Sequence, residues 1–295
     1  MLATLWGILY AAGLFANNHV DFWTHWGDGR GELSSYRVTV SRYGELREGY
    51  SVLVFVTEDI SRTTRIKIES ASAEDRVPVM KLNRVAKFTT GIYDYSLLTS
   101  TFSSIGPELG RNAFEPLKIS FSGQEWCGHV FQVLIPQRDR VELTLHSYFE
   151  SEGEQKRHLD LPANAAFEDN LPIWIRELDG EKLSSGQRRE LQILPAAWSL
   201  RATHREIAFQ PGWILKEEGE DLKVAAGISP TWRWTWQVRD RTETYWVEKA
   251  YPRRILKWIS SDGGKGEVIK SLRLPYWQLH NNADVKYREE LVLPK

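Results

Sequence analysis

Trp232, Trp234 and Trp236 occupy every second position of Thr231–Val238, with Arg233, Thr235 and Gln237 in the gaps or beyond. Successive side chains of a β-strand leave on opposite faces, so this spacing puts all three indoles on one side of a sheet. One sheet face is then a wall of large, stiff rings. Such a wall either fills a core or lines a pocket for an apolar molecule.

The same two-residue period runs through most of the chain. Ser35–Ser41 alternates, and Tyr50–Thr57 is apolar on both faces, which predicts a central strand covered on both sides. Val77–Lys87 and Ile92–Phe102 form the next pair. Leu117, Ile119 and Phe121 alternate with Lys118, Ser120 and Ser122. Gln124–Ile135 and Arg140–Glu150 are expected to form a hairpin across Pro136–Asp139. Further strands are expected at Leu191–Leu194, Glu206–Phe209, Gly212–Lys216, Leu222–Ala225, Trp232–Arg239, Thr244–Glu248, Ile255–Ser260 and Val268–Leu274, with a tight turn at Asp262-Gly263-Gly264.

Asp160–Gly186 breaks the pattern. Leu171, Trp174, Ile175 and Leu178 have helical spacing, with Asp169 or Asn170 as cap and Gly180 as terminator. A helix over residues 168–179 therefore connects two strand-rich halves. No alternation of strands and helices occurs, so the sheets are expected to be antiparallel. The predicted class is mainly β: two curved sheets or incomplete barrels with a short connecting helix. The predicted organisation is a signal peptide (1–16), an N-terminal β domain (17–160), a helical connector (161–190) and a C-terminal β domain (191–295).

The 295 residues carry 38 basic and 39 acidic side chains, a net charge of -1. A nucleic-acid binder needs a basic excess to neutralise phosphates, and this chain has none. Nor is there a basic run to form a polybasic membrane arm. The 13 Trp, 11 Tyr and 11 Phe against 2 Met suit pleated sheets and apolar ligands. Cys127 stands alone, so no internal disulfide forms. Leu2–Ala16 is an uncharged apolar run. It is shorter than the ~20 residues a spanning helix needs, but fits the core of a signal peptide cleaved after Gly13 or Ala16. It lacks a preceding positive charge, since the first Lys or Arg is Arg30. Export to the periplasm or cell envelope is the expectation, and a cytoplasmic site the alternative if Leu2–Ala16 is no signal.

Two constellations are candidates for chemistry. The first is the ring wall of Trp232, Trp234 and Trp236, joined from the following strands by Tyr245 and Trp258. The second lies on the Gln124–Glu150 hairpin, where Glu125, Cys127 and His129 alternate. If Ile135 pairs with Arg140, His129 lies opposite His146, Cys127 opposite Tyr148 and Glu125 opposite Glu150, while Trp126, Val130 and Leu134 face the core. Cys127, His129 and His146 could then hold zinc, or His129 could activate the Cys127 thiolate. The competing reading is a buried thiol on a polar face, because the chain lacks the paired short-range ligands of zinc sites. Glu58-Asp59 is read as a turn cap. The Gly27–Gly31 stretch is read as a turn, having no strand before it and no helix after it. Leu183–Gln187 matches an ABC-type signature without any lysine phosphate loop to serve it.

Five segments together resemble an uncharacterised family of bacterial cell-envelope proteins, many of them lipoproteins: Thr57–Ser61, Lys87–Phe102, Gln124–Val130, His146–Gly153 and Thr244–Gly263. Some members carry the label septum formation inhibitor Maf. Maf pyrophosphatases are α/β proteins with an early Ser-Pro-Arg-Arg loop, which is absent here. The resemblance implies an envelope location and a curved antiparallel sheet similar to the lipoprotein carriers LolA and LolB, although the lipobox cysteine of the lipoprotein members is missing. The expected function is non-enzymatic binding of a lipid or lipoprotein-like ligand, with peripheral envelope association. The alternatives are a metal-binding protein or enzyme on the Glu125/Cys127/His129/His146 face, and an envelope scaffold.

Overall fold

A computed structural model describes residues 22–69, 73–178, 183–224 and 227–294. Leu2–Ala16 and Gly180 lie outside the described residues. The alternating segments form one large sheet. Its first eight strands are β1 (Gly31–Arg42), β2 (Glu45–Ser61), β3 (Arg76–Thr90), β4 (Tyr93–Ser104), β5 (Pro116–Glu125), β6 (Gly128–Pro136), β7 (Arg140–Ser147) and β8 (Glu154–Asp160). After a short strand β9 (Ala165–Phe167) and helix α1 (Leu171–Glu177) come β10 (Arg188–Leu194), helix α2 (Ala197–Thr203) and β11 (Gln210–Glu218). A small separate hairpin, β12 (Leu222–Val224) and β13 (Gly227–Ser229), precedes β14 (Thr231–Val238), β15 (Arg241–Glu248), β16 (Ile255–Ser260) and β17 (Lys265–Leu274). Helix α3 (Lys286–Glu290) follows.

The large sheet has the order β8-β7-β6-β5-β4-β3-β2-β1-β17-β16-β15-β14-β11-β10-β9. Every pairing is antiparallel except β9 with β10. The architecture is mainly β, as the period-two pattern requires. The strands of 17–160 and, apart from the β12–β13 hairpin, those from β10 onward belong to this one sheet, joined where β1 pairs with β17. The sheet is open but strongly curled. Arg84 on β3 donates to the Tyr245 hydroxyl on β15 across 3.3 Å, although four strands lie between them in the sheet. In a flat sheet, with strands ~4.8 Å apart, those groups would be separated by more than 20 Å.

β2 is buried at every position from Ser51 to Val56, the doubly covered central strand that its two apolar faces predict. Helix α1 forms within the predicted span, but not with the predicted caps. Asn170 makes no side-chain cap bond. Its amide instead bridges the Ser103 hydroxyl (2.6 Å) and the Phe114 carbonyl (2.9 Å), while the Asp169 carboxylate accepts from the Ala197 N–H at the start of α2 (3.0 Å). Arg176 fixes α1 to the sheet. It is fully buried, donates to both Glu32 oxygens (2.8 and 3.1 Å) and to the Pro252 carbonyl, and lies 4.0 Å over the Phe55 ring.

Other expectations need correction. Glu206–Phe209 is not a strand, because β11 begins at Gln210. Glu58 and Asp59 lie inside β2, not after it, and pair across the ladder with Lys81 and Arg76. Gln124–Ile135 is not one strand: it bends at Trp126-Cys127, so Glu125 ends β5 and pairs with Gly128 at the start of β6.

Candidate functional site

The curl leaves a cavity of about 390 Å³ between the concave face and helix α2. This lies within the range of ligand pockets, ~300–1,000 Å³. Its floor is aromatic. Trp236 on β14, Tyr245 on β15 and Trp258 on β16 form a stacked row, with ring centroids 4.6 and 5.8 Å apart and interplanar angles of 23° and 16°. The strand period aims these rings inward, and the register Trp234↔Tyr245↔Trp258 lines up their strands. The opposite wall is mixed: Val38 and Val40 of β1, Ala86 of β3, Leu97 of β4 and Phe121 of β5 are apolar, with Thr39 of β1, Ser51 of β2, Arg84 of β3 and Thr99 of β4 among them. Trp198 and Leu200 of α2 close the top.

Helix α2 is held in place at several points. The Glu168 carboxylate accepts from the Ala196 N–H (2.8 Å), Arg201 pairs with Glu152 (2.6 Å), and Arg42 donates to the Ala202 carbonyl (2.9 Å). A second cavity of about 540 Å³ adjoins the first and shares Phe121, Leu200 and Arg205 with it. α2 thus stands between two spaces enclosed by the same sheet.

One end of the first cavity is charged. Glu168 accepts from the Trp236 indole N–H (2.9 Å) and pairs with Arg241, which also pairs with Glu243. Asp169 lies beside them. Burial pushes the Asp169 carboxyl up to about 6, against the Ala197 N–H that favours its charge. Burial likewise pushes Glu243 up to about 7, although Arg241 opposes the shift. Arg84 differs from Arg241. It hydrogen-bonds the neutral Tyr245 hydroxyl and lies 5.0 Å over the Trp258 ring, with no ion pair among the described residues. It offers guanidinium donors inside a largely apolar space.

Three of the five sequence-predicted wall residues, Trp236, Tyr245 and Trp258, line this cavity. Trp234 is buried in the core further along β14. Trp232 is half-buried at the far end, between the Lys216 and Lys249 ammonium groups at 4.1 and 4.6 Å.

The structure does not bring Cys127, His129 and His146 together. Cys127 sits in the β5–β6 turn, exposed. The β6–β7 register is two residues away from the expected one: Phe131, not His129, faces His146, and the Tyr148 N–H donates to the His129 carbonyl. His146 pairs with Glu154 on β8. Trp126 is exposed and not core, whereas Val130, Leu134, Val141 and Leu145 are buried as expected. The Cys127 thiol is raised by hydrogen bonding and charge from Glu125, the opposite of activation. Among the described residues no group of three or more His, Cys, Asp or Glu side chains could hold a metal ion.

The charged end of the cavity escaped the sequence reading. One signal was available: Arg84 shares the inward face of β3 with Leu82 and Ala86, and a charge on a core face marks a special site. Glu168, Asp169 and α2 carry no such signal, since only the chain path brings them over the sheet. No family model, curated protein or solved structure matches the chain.

Proposed function

We propose that this protein is a non-enzymatic, exported envelope protein that takes up a single amphipathic molecule inside its curled sheet. The observation that carries the reading is the cavity of about 390 Å³, floored by Trp236, Tyr245 and Trp258 and walled in large part by Val38, Val40, Ala86, Leu97 and Phe121, with the Arg84 guanidinium in its lining. The apolar part of the ligand lies along the rings, where its burial contributes roughly 25 cal/mol per Å². Its head is anionic and meets Arg84, which feels the Glu243 and Asp169 carboxyls but forms no direct ion pair among the described residues. The aromatic and apolar lining supports binding more than catalysis. Export rests on the Leu2–Ala16 run.

The test uses a fluorescent fatty acid, dansyl-undecanoic acid, titrated into the full-length protein. The expected result is saturable, stoichiometric binding with a blue-shifted dansyl emission, lost in an Ala86→Phe variant that fills the cavity and keeps its circular dichroism. Unsaturable binding, or equal binding by the filled variant, would sink the reading.

A further inference from the structure

The hairpin turns of an antiparallel sheet fall on two rims. The pairings Arg42↔Glu45, Thr90↔Tyr93, Glu125↔Gly128 and His146↔Glu154 put the β1–β2, β3–β4, β5–β6 and β7–β8 turns on one rim. Val238↔Arg241 and Ile259↔Lys265 bring the β14–β15 and β16–β17 turns to the same rim. Four consecutive tips there hold bulky apolar side chains out in solvent: Tyr43 (58% exposed), Ile92 (83%), Trp126 (70%) and Tyr148 (74%), with Leu46 beside the first. Alternate hairpins repeat about every 10 Å, so these groups form a spaced row and not a contiguous patch.

Tyr43 is anchored at its tip: its hydroxyl bonds the Tyr95 hydroxyl (2.9 Å) and accepts from Arg42 (3.1 Å), whose guanidinium lies 4.0 Å over the ring, so one face of the ring stays in solvent. Tyr43 occupies the first central position of a two-residue turn, with φ 56°, followed by Gly44 at φ 74°. Asn or Gly suits that position, and an aromatic residue there costs about 1 kcal/mol or more. The mouth of the first cavity opens on this rim. Ser41, Arg239, Asp240, Ser261, Asp262 and Gly264 line it, all at or beside the tips.

We propose that this rim docks on a zwitterionic lipid surface, with the cavity mouth turned toward the bilayer. Isolated Trp, Tyr and aliphatic side chains on separate tips fit between lipid headgroups, the layer that Trp and Tyr prefer. A stable protein interface needs a contiguous, closely packed patch instead. The rim mixes Arg47, Lys87, Arg239 and Lys265 with Glu45, Asp94, Glu125, Glu150, Glu154, Asp240 and Asp262, so it has no basic surplus to select anionic lipid. Docking rests on the cavity reading only for what passes through the mouth, not for the contact itself.

Cys127, the single cysteine, is exposed on the β5–β6 tip beside Trp126 and accepts an environment-sensitive label. Full-length protein labelled there with nitrobenzoxadiazole is mixed with pure phosphatidylcholine vesicles and with vesicles containing phosphatidylglycerol. The expected result is a blue shift on both, quenched by doxyl-labelled lipid, and altered less than about twofold by added salt. Ile92→Ser combined with Tyr148→Ser should weaken partitioning by about tenfold or more while circular dichroism is unchanged. The filled-cavity Ala86→Phe protein should dock as wild type does. No shift on phosphatidylcholine, unchanged partitioning of the tip variant, or binding confined to phosphatidylglycerol and abolished by salt would each overturn the proposal. Docking without uptake of the dansyl fatty acid would overturn the cavity reading and leave this one standing; uptake without docking would do the reverse.

Discussion

Gly266 on β17 lies directly under the Trp258 ring on β16: a Cβ at position 266 would fall 2.2 Å from the indole. The missing side chain is what lets Trp258 lie across β17, where its ring reaches Tyr36 of β1 at 4.8 Å and Tyr245 at 5.8 Å. The aromatic floor therefore depends on a glycine that belongs to none of its rings. Gly266→Ala is expected to push the indole off its neighbours, destabilising the protein by about 1–3 kcal/mol through overpacking. Urea unfolding of this variant, Trp258→Leu and the double variant checks it: the double should recover part of the loss. Additive losses would show that the close approach carries no strain.

Arg84 separates two kinds of ligand. Arg84→Met keeps the stem and removes the guanidinium. It is expected to weaken dansyl-undecanoic acid by about tenfold, the worth of a charge-assisted hydrogen bond, and to leave the matching dansyl alcohol unaffected. Titrations of both probes decide it. Equal losses for both would assign Arg84 to the packing of the floor and not to a ligand's charge.

Glu243 predicts the pH dependence. Its carboxyl titrates near 4.5 when unperturbed and at about 7 in the fold. Between those values the native state holds a proton that the unfolded chain has released, so stability falls as pH rises through this window. Glu243→Gln cannot ionise, and its stability should fall less between pH 4.5 and 7, by an amount on the order of 2 kcal/mol. Thermal unfolding of both proteins across that range measures the difference. Parallel curves would mean that Glu243 is charged throughout.

The Arg176–Glu32 pair ties α1 to β1 in the dry interior. Removing one partner strands the other charge, so Arg176→Met is expected to cost about 3–5 kcal/mol. Combining it with Glu32→Gln should cost less than the sum of the single changes. Guanidinium unfolding of the three variants checks it, and a single-variant loss under about 1 kcal/mol would contradict the buried-pair account.

The period-two pattern was legible because a sheet reads hydrophobicity locally. Trp236 and Tyr245 face inward, and β2 is buried on both sides, for reasons contained in their own segments. Position 171 begins a helix for the same reason, and Val130, Leu134, Val141 and Leu145 reach the core although their register was misjudged by two residues. A shift of two preserves every side chain's face while changing every partner, which is why the core survived and the Cys127/His129/His146 grouping did not. Patterning likewise could not foresee the turn at Trp126-Cys127, which is flanked by the pairing of Glu125 with Gly128.

Side-chain alternation, a property of each strand alone, is enough to specify a mainly antiparallel β-protein with an inward row of rings. The curl that brings β3 to β15, the closing of the resulting space by α2, and the meeting of Arg84, Glu168, Asp169 and Glu243 at its charged end arise only when the whole chain is folded. Those groups come from strands and turns up to 159 positions apart, from Arg84 to Glu243. Their meeting depends on the summed twist of many strands and on the buried polar contacts that anchor the connecting segments, neither of which any single stretch of sequence encodes.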